Sequence, residues 1–315
     1  MYKRTILIVP ALCGLLLGGA AIAAASSGTG GGHWGRLAAA PAQRSEVAVA
    51  AVGANAYVVG DYNGATGLLV YDLAHNAWHA GAAFPHPVHH AMAASFGGLL
   101  YVFGGYVHGW TATRESWVYD PAPDRWTARA PMPDERAAGG AVVVDGKIHL
   151  IGGSVSGRTN TPLHAVYDPV RNSWSKAAPL PTPRDHLAVA LVDGKIIAAG
   201  GRTDGNPGAS LTTNEQFDPA SGSWTRRHPM PLARSGVAVA VLDGDVYLFG
   251  GEGSSAVYGD SLVYDPRADA WHAVQPVPTP RHGFGAVVYQ GGIDTLVGSP
   301  EPGGDRSTVA ERWTP

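Results

Sequence analysis

Five arginines recur along the chain, each ten residues after a tryptophan. They are Arg44, Arg136, Arg184, Arg234 and Arg281. The corresponding interval that starts at Trp78 reaches Val88, with His89 and His90 directly behind it. Planar guanidinium groups bind the paired oxygens of carboxylates and phosphates. If the repeat gathers these side chains, the sequence predicts an anion-binding ring with a histidine in the sixth place. The alternative is structural, since each arginine could instead bond main-chain carbonyls between repeats.

The 13 histidines do not have the spacing of a metal site. His89 and His90 are adjacent, and His186 and His282 each follow an arginine closely. No His-x-His pair, and no His-x-x-x-His pattern on a predicted helix, indicates a ligand set. The single cysteine is Cys13, and neither a Gly-x-Ser-x-Gly turn nor a phosphate-binding loop is present. The sequence therefore predicts no metal and no other cofactor.

Charge and composition restrict the class of protein. The net charge of −3 over 315 residues gives no reason to expect nucleic-acid binding. Only 15% of residues are charged, and 43 glycines with 24 prolines are typical of short strands joined by many turns. A closed array of repeats of this length counts as one domain, and we expect a monomer.

The N-terminal segment has the pattern of a secretory signal. Lys3 and Arg4 precede an apolar run from residue 6 to residue 25, and small residues follow. We predict a signal peptide at residues 1–25, a Ser/Gly linker at 26–32 and one folded domain at 33–315. The expected location is periplasmic or extracellular. The alternative is an uncleaved membrane anchor, because residues 6–25 reach the length of about 20 residues that spans a bilayer.

Four strand-like segments recur in the same order in each repeat. The first is an alternating run of small residues such as 237–240, followed by a tight turn such as Asp243-Gly244. The second ends in paired glycines, as at Gly250-Gly251, where backbones can approach closely. The third ends in Tyr-Asp-Pro or a close variant, and the fourth carries the tryptophan. A repeat of about 45–50 residues with this content predicts propeller blades rather than a helical solenoid.

Paired glycines, Tyr-Asp-Pro and a following tryptophan make the chain resemble kelch repeats. The resemblance extends from Trp34 to Pro315 and implies an all-β, six-bladed propeller with four-stranded antiparallel blades. The sixth repeat lacks a fourth strand after residues 311–315, and a spare tryptophan strand lies at residues 33–37. We predict that this N-terminal strand completes the last blade and leaves no open edge.

The resemblance also implies where a site would lie. In such a propeller, the segments that lead into the inner strands meet the loops after the second strands at one mouth of the channel. The predicted ligand-binding residues at this mouth are the five arginines, His89, His90, Trp110 and Glu252. We expect a binding or interaction module whose partner is a protein or an anionic carbohydrate.

The alternative function is that of a sugar mutarotase. The periplasmic N-acetylneuraminate epimerases are also six-bladed kelch proteins, and a resemblance to them implies an acid sugar held by the arginines. Glu252 or Glu215 would then be the base that transfers a proton. Only this alternative requires an acidic side chain within hydrogen-bond reach of a bound sugar.

Overall fold

A computed structural model describes residues 31–315 of the chain. The predicted signal peptide, and residues 26–30 of the predicted linker, lie outside the described residues. Between residues 31 and 315, no helix has the length and apolar character that crossing a membrane requires. The described chain is built from 26 short strands and one turn of 3₁₀ helix, Pro207–Ala209.

The strands form six four-stranded antiparallel sheets, numbered here as blades 1 to 6. The chain begins with β1 (His33–Arg36), which belongs to blade 6. Blade 1 contains β2 (Ala48–Val52), β3 (Asn55–Val59), β4 (Leu68–Asp72) and β5 (Ala77–Gly81). Blade 2 contains β6 (Met92–Phe96), β7 (Leu99–Phe103), β10 (Ser116–Asp120) and β11 (Arg125–Ala128), with the small hairpin β8 (Tyr106–Val107) and β9 (Thr111–Ala112) in its loop. Blade 3 contains β12 (Gly140–Val144), β13 (Lys147–Ile151), β14 (His164–Asp168) and β15 (Ser173–Lys176).

Blades 4 to 6 repeat the same order of strands. Blade 4 contains β16 (Ala188–Val192), β17 (Lys195–Ala199), β18 (Asn214–Asp218) and β19 (Ser223–Arg226). Blade 5 contains β20 (Ala238–Leu242), β21 (Asp245–Phe249), β22 (Ser261–Asp265) and β23 (Ala270–Val274). Blade 6 contains β24 (Gly285–Tyr289), β25 (Gly292–Leu296) and β26 (Ala310–Thr314), and β1 is its outer strand. The predicted six-bladed fold is confirmed.

The N-terminal strand closes the ring as predicted. β1 pairs antiparallel with β26, so that His33 lies opposite Thr314 and Trp34 opposite Trp313. The indole of Trp34 also packs edge-on against Phe249 of blade 5, with ring centroids 5.2 Å apart. Blade 6 therefore joins the two ends of the described chain and has the same four strands as its neighbours.

The hydrophobic core is divided among the interfaces between blades. Each of six clusters of buried side chains draws on two adjacent blades; one packs Met92 and Phe103 against Ile148 and Tyr167. The alternating small residues of the inner strands suit this crowding near the axis. The paired glycines serve the same purpose, because a Cβ atom on Gly250 would lie 2.3 Å from the carbonyl oxygen of Arg281. The backbone of one blade can therefore approach the segment that leads into the next blade only where the residue between them is glycine.

The recurring tryptophans link each blade to the previous one. Each half-buried indole donates from Nε1 to a linker carbonyl of the preceding blade, over 2.8–3.1 Å. Four blades add a second link, in which one Asn or Asp oxygen accepts both a tyrosine hydroxyl and a linker N–H. In blade 4, Phe217 and Gly222 replace the tyrosine and the acceptor together. The two positions therefore change as a pair.

Candidate functional site at the channel mouth

The main chain forms a closed hydrogen-bonded ring around the channel axis. Its members stand two residues after the arginine position of each repeat and are Glu46, His90, Ala138, His186, Gly236 and Gly283. The N–H of each donates to the carbonyl of the preceding member, over 2.7–3.0 Å, and Glu46 completes the circle by donating to Gly283. All six have positive φ, between 53° and 67°. The ring thus holds Glu46, His90 and His186 in a left-handed backbone conformation, which glycine adopts easily and which is unfavourable for residues with a side chain.

A second set of residues comes directly after the paired glycines that follow each second strand. Its members are Tyr62, Tyr106, Ser154, Arg202, Glu252 and Ser299. In blades 1 and 6 the glycine pair is replaced by Gly60-Asp61 and Val297-Gly298. Bridges such as that between Asp185 and Arg202 join this set to the segments that lead into the inner strands. The predicted meeting of these two groups of segments at one mouth is therefore seen in the structure. The mouth carries side chains from all six blades.

The guanidinium groups of the inner-strand arginines are buried within the blade that each arginine precedes. Arg136, Arg184, Arg234 and Arg281 are all 1% exposed or less. Their guanidinium groups donate to main-chain carbonyls, as Arg234 does to Gly250 and Asp260 at 3.0 Å each. Burial lowers the pKa of Arg136 and of Arg281 to about 10. The arginines thus bond main-chain carbonyls, as the structural alternative expected, but the carbonyls belong to the same repeat and do not lie between repeats.

Two of these arginines also pair with a buried acid of the same blade. Arg184 donates to Glu215 at 2.6 Å, and Arg281 donates to Glu311 at 2.9 Å. In each case a threonine two residues before the arginine donates to the second carboxylate oxygen. Glu215 is fully buried in this pair. It therefore has no access to a ligand in the channel, and the structure does not support it as a proton-transfer base.

Arg44 occupies the equivalent position in the first repeat. It is 7% exposed, donates to the carbonyl of Gln43, and does not line the mouth cavity described below. Burial lowers its pKa, although Asp61 acts in the opposite direction. None of the five predicted arginines therefore presents its guanidinium to the mouth cavity.

A cluster of acids and histidines occupies the axis instead. The carboxylate of Glu46 lies 3.0 Å from Nε2 of His90, 3.1 Å from Nδ1 of His282 and 3.9 Å from Nε2 of His186. Glu252 lies 3.6 Å from His282 through the same nitrogen. Burial alone would raise the pKa of Glu46, but His90 and His282 hold it well below its usual value. Glu46 is therefore a carboxylate at neutral pH.

Arg202 links this cluster to its surroundings. Its guanidinium donates to Glu252 at 2.5 Å, to Asp185 at 3.3 Å and to Nε2 of His186 at 2.9 Å. Asp185 also accepts from Nδ1 of His186. Two carboxylates therefore offset the charge of Arg202 and fix the orientation of His186.

Aromatic side chains form one wall of the mouth. The ring of Trp110 packs against Tyr62, His89, His90 and Tyr106, with centroids 5.1–6.2 Å apart. Trp110 is 46% exposed, which is unusual for so large an apolar side chain. Burial and the neighbouring His90 lower the pKa of His89 to about 4, so this ring is neutral at pH 7.

Two adjoining cavities open at this wall. The first has a volume of about 300 Å³ and is lined by residues that include Glu46, His90, Glu252 and His282. The second, of about 290 Å³, is lined by residues 156–158 and Gly205. Trp110 and Arg202 line both. Together they form a pocket of the size that accommodates a small ligand.

Comparisons with known proteins agree with this architecture. The family model for the KLHDC2/KLHL20/DRC7 Kelch-repeats domain matches residues 46–230, and the model for the Kelch motif matches residues 233–278. The chain belongs to the kelch-repeat family. A solved structure, described as "Structure of YjhT", superposes with a TM-score of 0.78 over 87% of this chain and 95% of that chain. The identity is 18%, so this likeness concerns the fold alone. No curated protein matches.

The kelch register could have located the axial residues that sequence reasoning missed. His89, His90, Trp110 and Glu252 were predicted at the mouth and lie there. Glu46 and His186 were not singled out as site residues, although each stands two residues after its arginine, where other kelch repeats of this chain have Gly236 and Gly283. A charged or aromatic residue at a position where other repeats have a glycine with positive φ is the pattern that indicates an axial site residue.

Proposed function

We propose that this kelch propeller is an exported binding module that holds a small anionic ligand against Trp110 at the channel mouth. The supporting observation is the pair of adjoining cavities with an exposed indole on their shared wall. Rigid, partly exposed aromatic rings supply large contact areas in binding sites. Export rests on the sequence pattern of residues 1–25.

Arg158 is the cation that favours an anionic ligand. It is exposed, lines the second cavity beside Trp110, and forms no ion pair with any residue between 31 and 315. Arg202 lines the same cavity but is committed to Glu252 and Asp185. We therefore assign anion binding to Arg158, in a loop of blade 3, instead of the inner-strand arginines. An acid sugar, with one carboxylate and an apolar ring face, has the required chemistry.

Ligand binding tests this proposal directly. We would titrate the protein with N-acetylneuraminate and with the neutral N-acetylglucosamine, using tryptophan fluorescence and calorimetry. We expect Trp110→Ala to weaken binding of the acid sugar at least tenfold, or about 1.4 kcal/mol. Arg158→Gln should weaken the acid sugar to a similar extent and leave the weak binding of the neutral sugar unchanged.

A matched arginine at the other end of blade 3 provides the control. Arg171 is exposed, and its one ion pair among residues 31–315 is with Asp168, at the turn between β14 and β15. Arg171→Gln should leave affinity unchanged. If Trp110→Ala and Arg158→Gln both bind the acid sugar as the unmodified protein does, the proposed site is wrong.

A second candidate is carbohydrate isomerisation, which the acids in the cavity support. Glu252 and Glu46 both line the first cavity next to His282, so proton donors and acceptors lie where a sugar would bind. The rate of exchange between the α and β anomers of N-acetylneuraminate, followed by NMR, separates the two functions. An enzyme accelerates the exchange and loses this acceleration in Glu252→Gln. A binding module does not accelerate it.

A further inference from the structure

The axial cluster places two buried histidine nitrogens against one carboxylate. Oε2 of Glu46 lies 3.0 Å from Nε2 of His90, and Oε1 lies 3.1 Å from Nδ1 of His282. All three residues are less than 9% exposed. Such close approach of polar atoms in a buried site is stable only when a proton or a cation lies between them.

A chain of hydrogen bonds places a proton on Nδ1 of His90 and turns its Nε2 towards Glu46. Nε2–H of His89 donates to the carbonyl of Gly109 at 2.9 Å. Nδ1 of a neutral His89 can then only accept, and it lies 2.5 Å from Nδ1 of His90. The proton between the two rings is therefore on Nδ1 of His90, so Nε2 faces Glu46 and either donates a second proton to the carboxylate or binds a cation.

His282 has the same arrangement on the other side of Glu46. Its Nε2–H donates to the carbonyl of Glu301 at 3.0 Å, and its Nδ1 faces Glu46 and Glu252, which raise the pKa of His282 against the effect of burial. That nitrogen is buried and makes no hydrogen bond within residues 31–315, although Glu46 and Glu252 both face it. Two carboxylates around one buried nitrogen are the second sign that positive charge belongs in the cluster, supplied by a proton or by a bound cation.

His186 completes a set of three ligand atoms with Glu46 and His90. Its Nδ1–H donates to Asp185, and its Nε2 faces the axis, 3.9 Å from Oε2 of Glu46. A carboxylate that accepts the outer N–H of a histidine is the usual support of a metal-binding imidazole. Arg202 also donates to this Nε2, and a bound ion would replace that donation.

We propose that Glu46, His90 and His186 bind one divalent transition-metal ion of the zinc class at the channel axis. Their ligand atoms all lie within 4.8 Å of one another. Tetrahedral ligands at about 2.0–2.1 Å from zinc stand about 3.3 Å apart, which the separations of 3.0 and 3.9 Å bracket. Two imidazoles and one carboxylate form a three-ligand set that leaves a fourth position open, and Glu46 and His90 both line the mouth cavity.

A neighbouring set shares Glu46 and is the less suitable of the two. Glu46, Glu252 and His282 also place their ligand atoms within 4.8 Å. This set has one imidazole, and Glu252 is already bound to Arg202 at 2.5 Å. Zinc-class ions favour imidazole over carboxylate, so we assign the ion to the set with two histidines.

Zinc binding by the full chain tests the proposal without any organic ligand. Protein stripped with EDTA would be titrated with Zn²⁺ by calorimetry and with Co²⁺ by visible absorption. We expect about one ion per chain, an absorption of Co²⁺ typical of low coordination number, and a higher melting temperature with zinc. Absence of zinc binding by the unmodified protein overturns the proposal and shows that a proton alone fills the cluster.

Substitutions test the assignment of ligands. Glu46→Gln, His90→Ala and His186→Ala should each weaken zinc binding at least tenfold, whereas His282→Ala should retain it. His108→Ala is the matched control, because His108 is an exposed histidine at the same mouth. Loss of binding in His282→Ala but not in His186→Ala overturns the assignment, as does loss in His108→Ala alone. Far-UV circular dichroism confirms that each variant is folded.

Zinc binding and acid-sugar binding can fail independently. The metal proposal stands if zinc binds to Trp110→Ala as it does to the unmodified protein. The proposed function fails separately if no acid sugar binds to either the zinc-free or the zinc-loaded chain.

Discussion

A single arginine position serves the same structural purpose in two chemical environments. Arg136 and Arg234 tie the segment before the inner strand to main-chain carbonyls of the same blade. Arg184 and Arg281 add a buried carboxylate, and both are preceded by Thr-Pro in the sequence. The motif Thr-Pro-Arg, with a glutamate on the third strand of the same blade, thus marks the paired form. Because a buried charge that loses its partner is costly, removing one member of either pair should destabilise the fold.

We predict that Glu215→Leu destabilises the protein by about 3–5 kcal/mol, since it leaves Arg184 buried without its carboxylate. Leucine is the residue at the equivalent position of blade 5, Leu262, so its size suits the sheet. Urea unfolding measures the change. The surface pair of Arg171 and Asp168 is the comparison, and Arg171→Gln should cost less than about 1 kcal/mol. A cost below 1 kcal/mol for Glu215→Leu would contradict this account of the buried pair.

The candidate site shows what residue patterns could and could not predict. Trp110 and Glu252 were predicted at the mouth because the variable loops of a propeller lie there. The arginines recur most regularly, but regular recurrence marks a structural role within each blade, and their guanidinium groups are buried accordingly. The direction of a side chain relative to the axis depends on backbone φ, and only the glycines at the equivalent positions of other repeats, Gly236 and Gly283, indicate the positive φ of Glu46 and His186.

At the scale of the element, the outer strand of each blade attaches it to the previous blade. β1 does this for blade 6: Trp34 donates to the carbonyl of Gln275 and packs on Phe249. Its partner strand β26 carries Trp313, which is 2% exposed. The closing strand was predictable because tryptophan-bearing strands can be counted in sequence and one repeat lacked its own. The small hairpin of β8 and β9 was not predicted, since loops do not repeat.

Deletion of β1 should be far more damaging than deletion of the residues before it. We expect a chain that starts at residue 38 to lose at least about 3 kcal/mol relative to one that starts at residue 31, because the Trp34 contacts disappear and Trp313 becomes exposed. Thermal unfolding measures the stability, and a red shift of tryptophan fluorescence reports the exposure. Equal melting temperatures for the two chains would contradict closure by β1.

At the scale of the whole molecule, six equivalent interfaces and one axial ring of main-chain hydrogen bonds close the propeller. The seam in blade 6 lies where the other blades have an ordinary turn. In blade 3, Asp168 pairs with Ser173 across the turn between β14 and β15. In blade 6, Thr314 pairs with His33 in the same way but without a covalent connection. The seam is therefore a missing turn, and its position among the blades should be exchangeable.

A circular permutant tests this equivalence. Joining Pro315 to Gly31 through one added residue gives blade 6 a four-residue turn, and opening the chain between Val170 and Arg171 moves the seam to blade 3. Val170 is 85% exposed, so the new ends disturb no packing, and we expect one cooperative unfolding transition within about 2 kcal/mol of the original chain. Opening instead between Arg184 and Asp185 should abolish folding, because it interrupts the axial segment that carries the His186 link of the ring and separates two buried charged residues. If both permutants fold equally well, the axial ring does not hold the propeller together; if neither folds, the seam in blade 6 is not equivalent to the turn in blade 3.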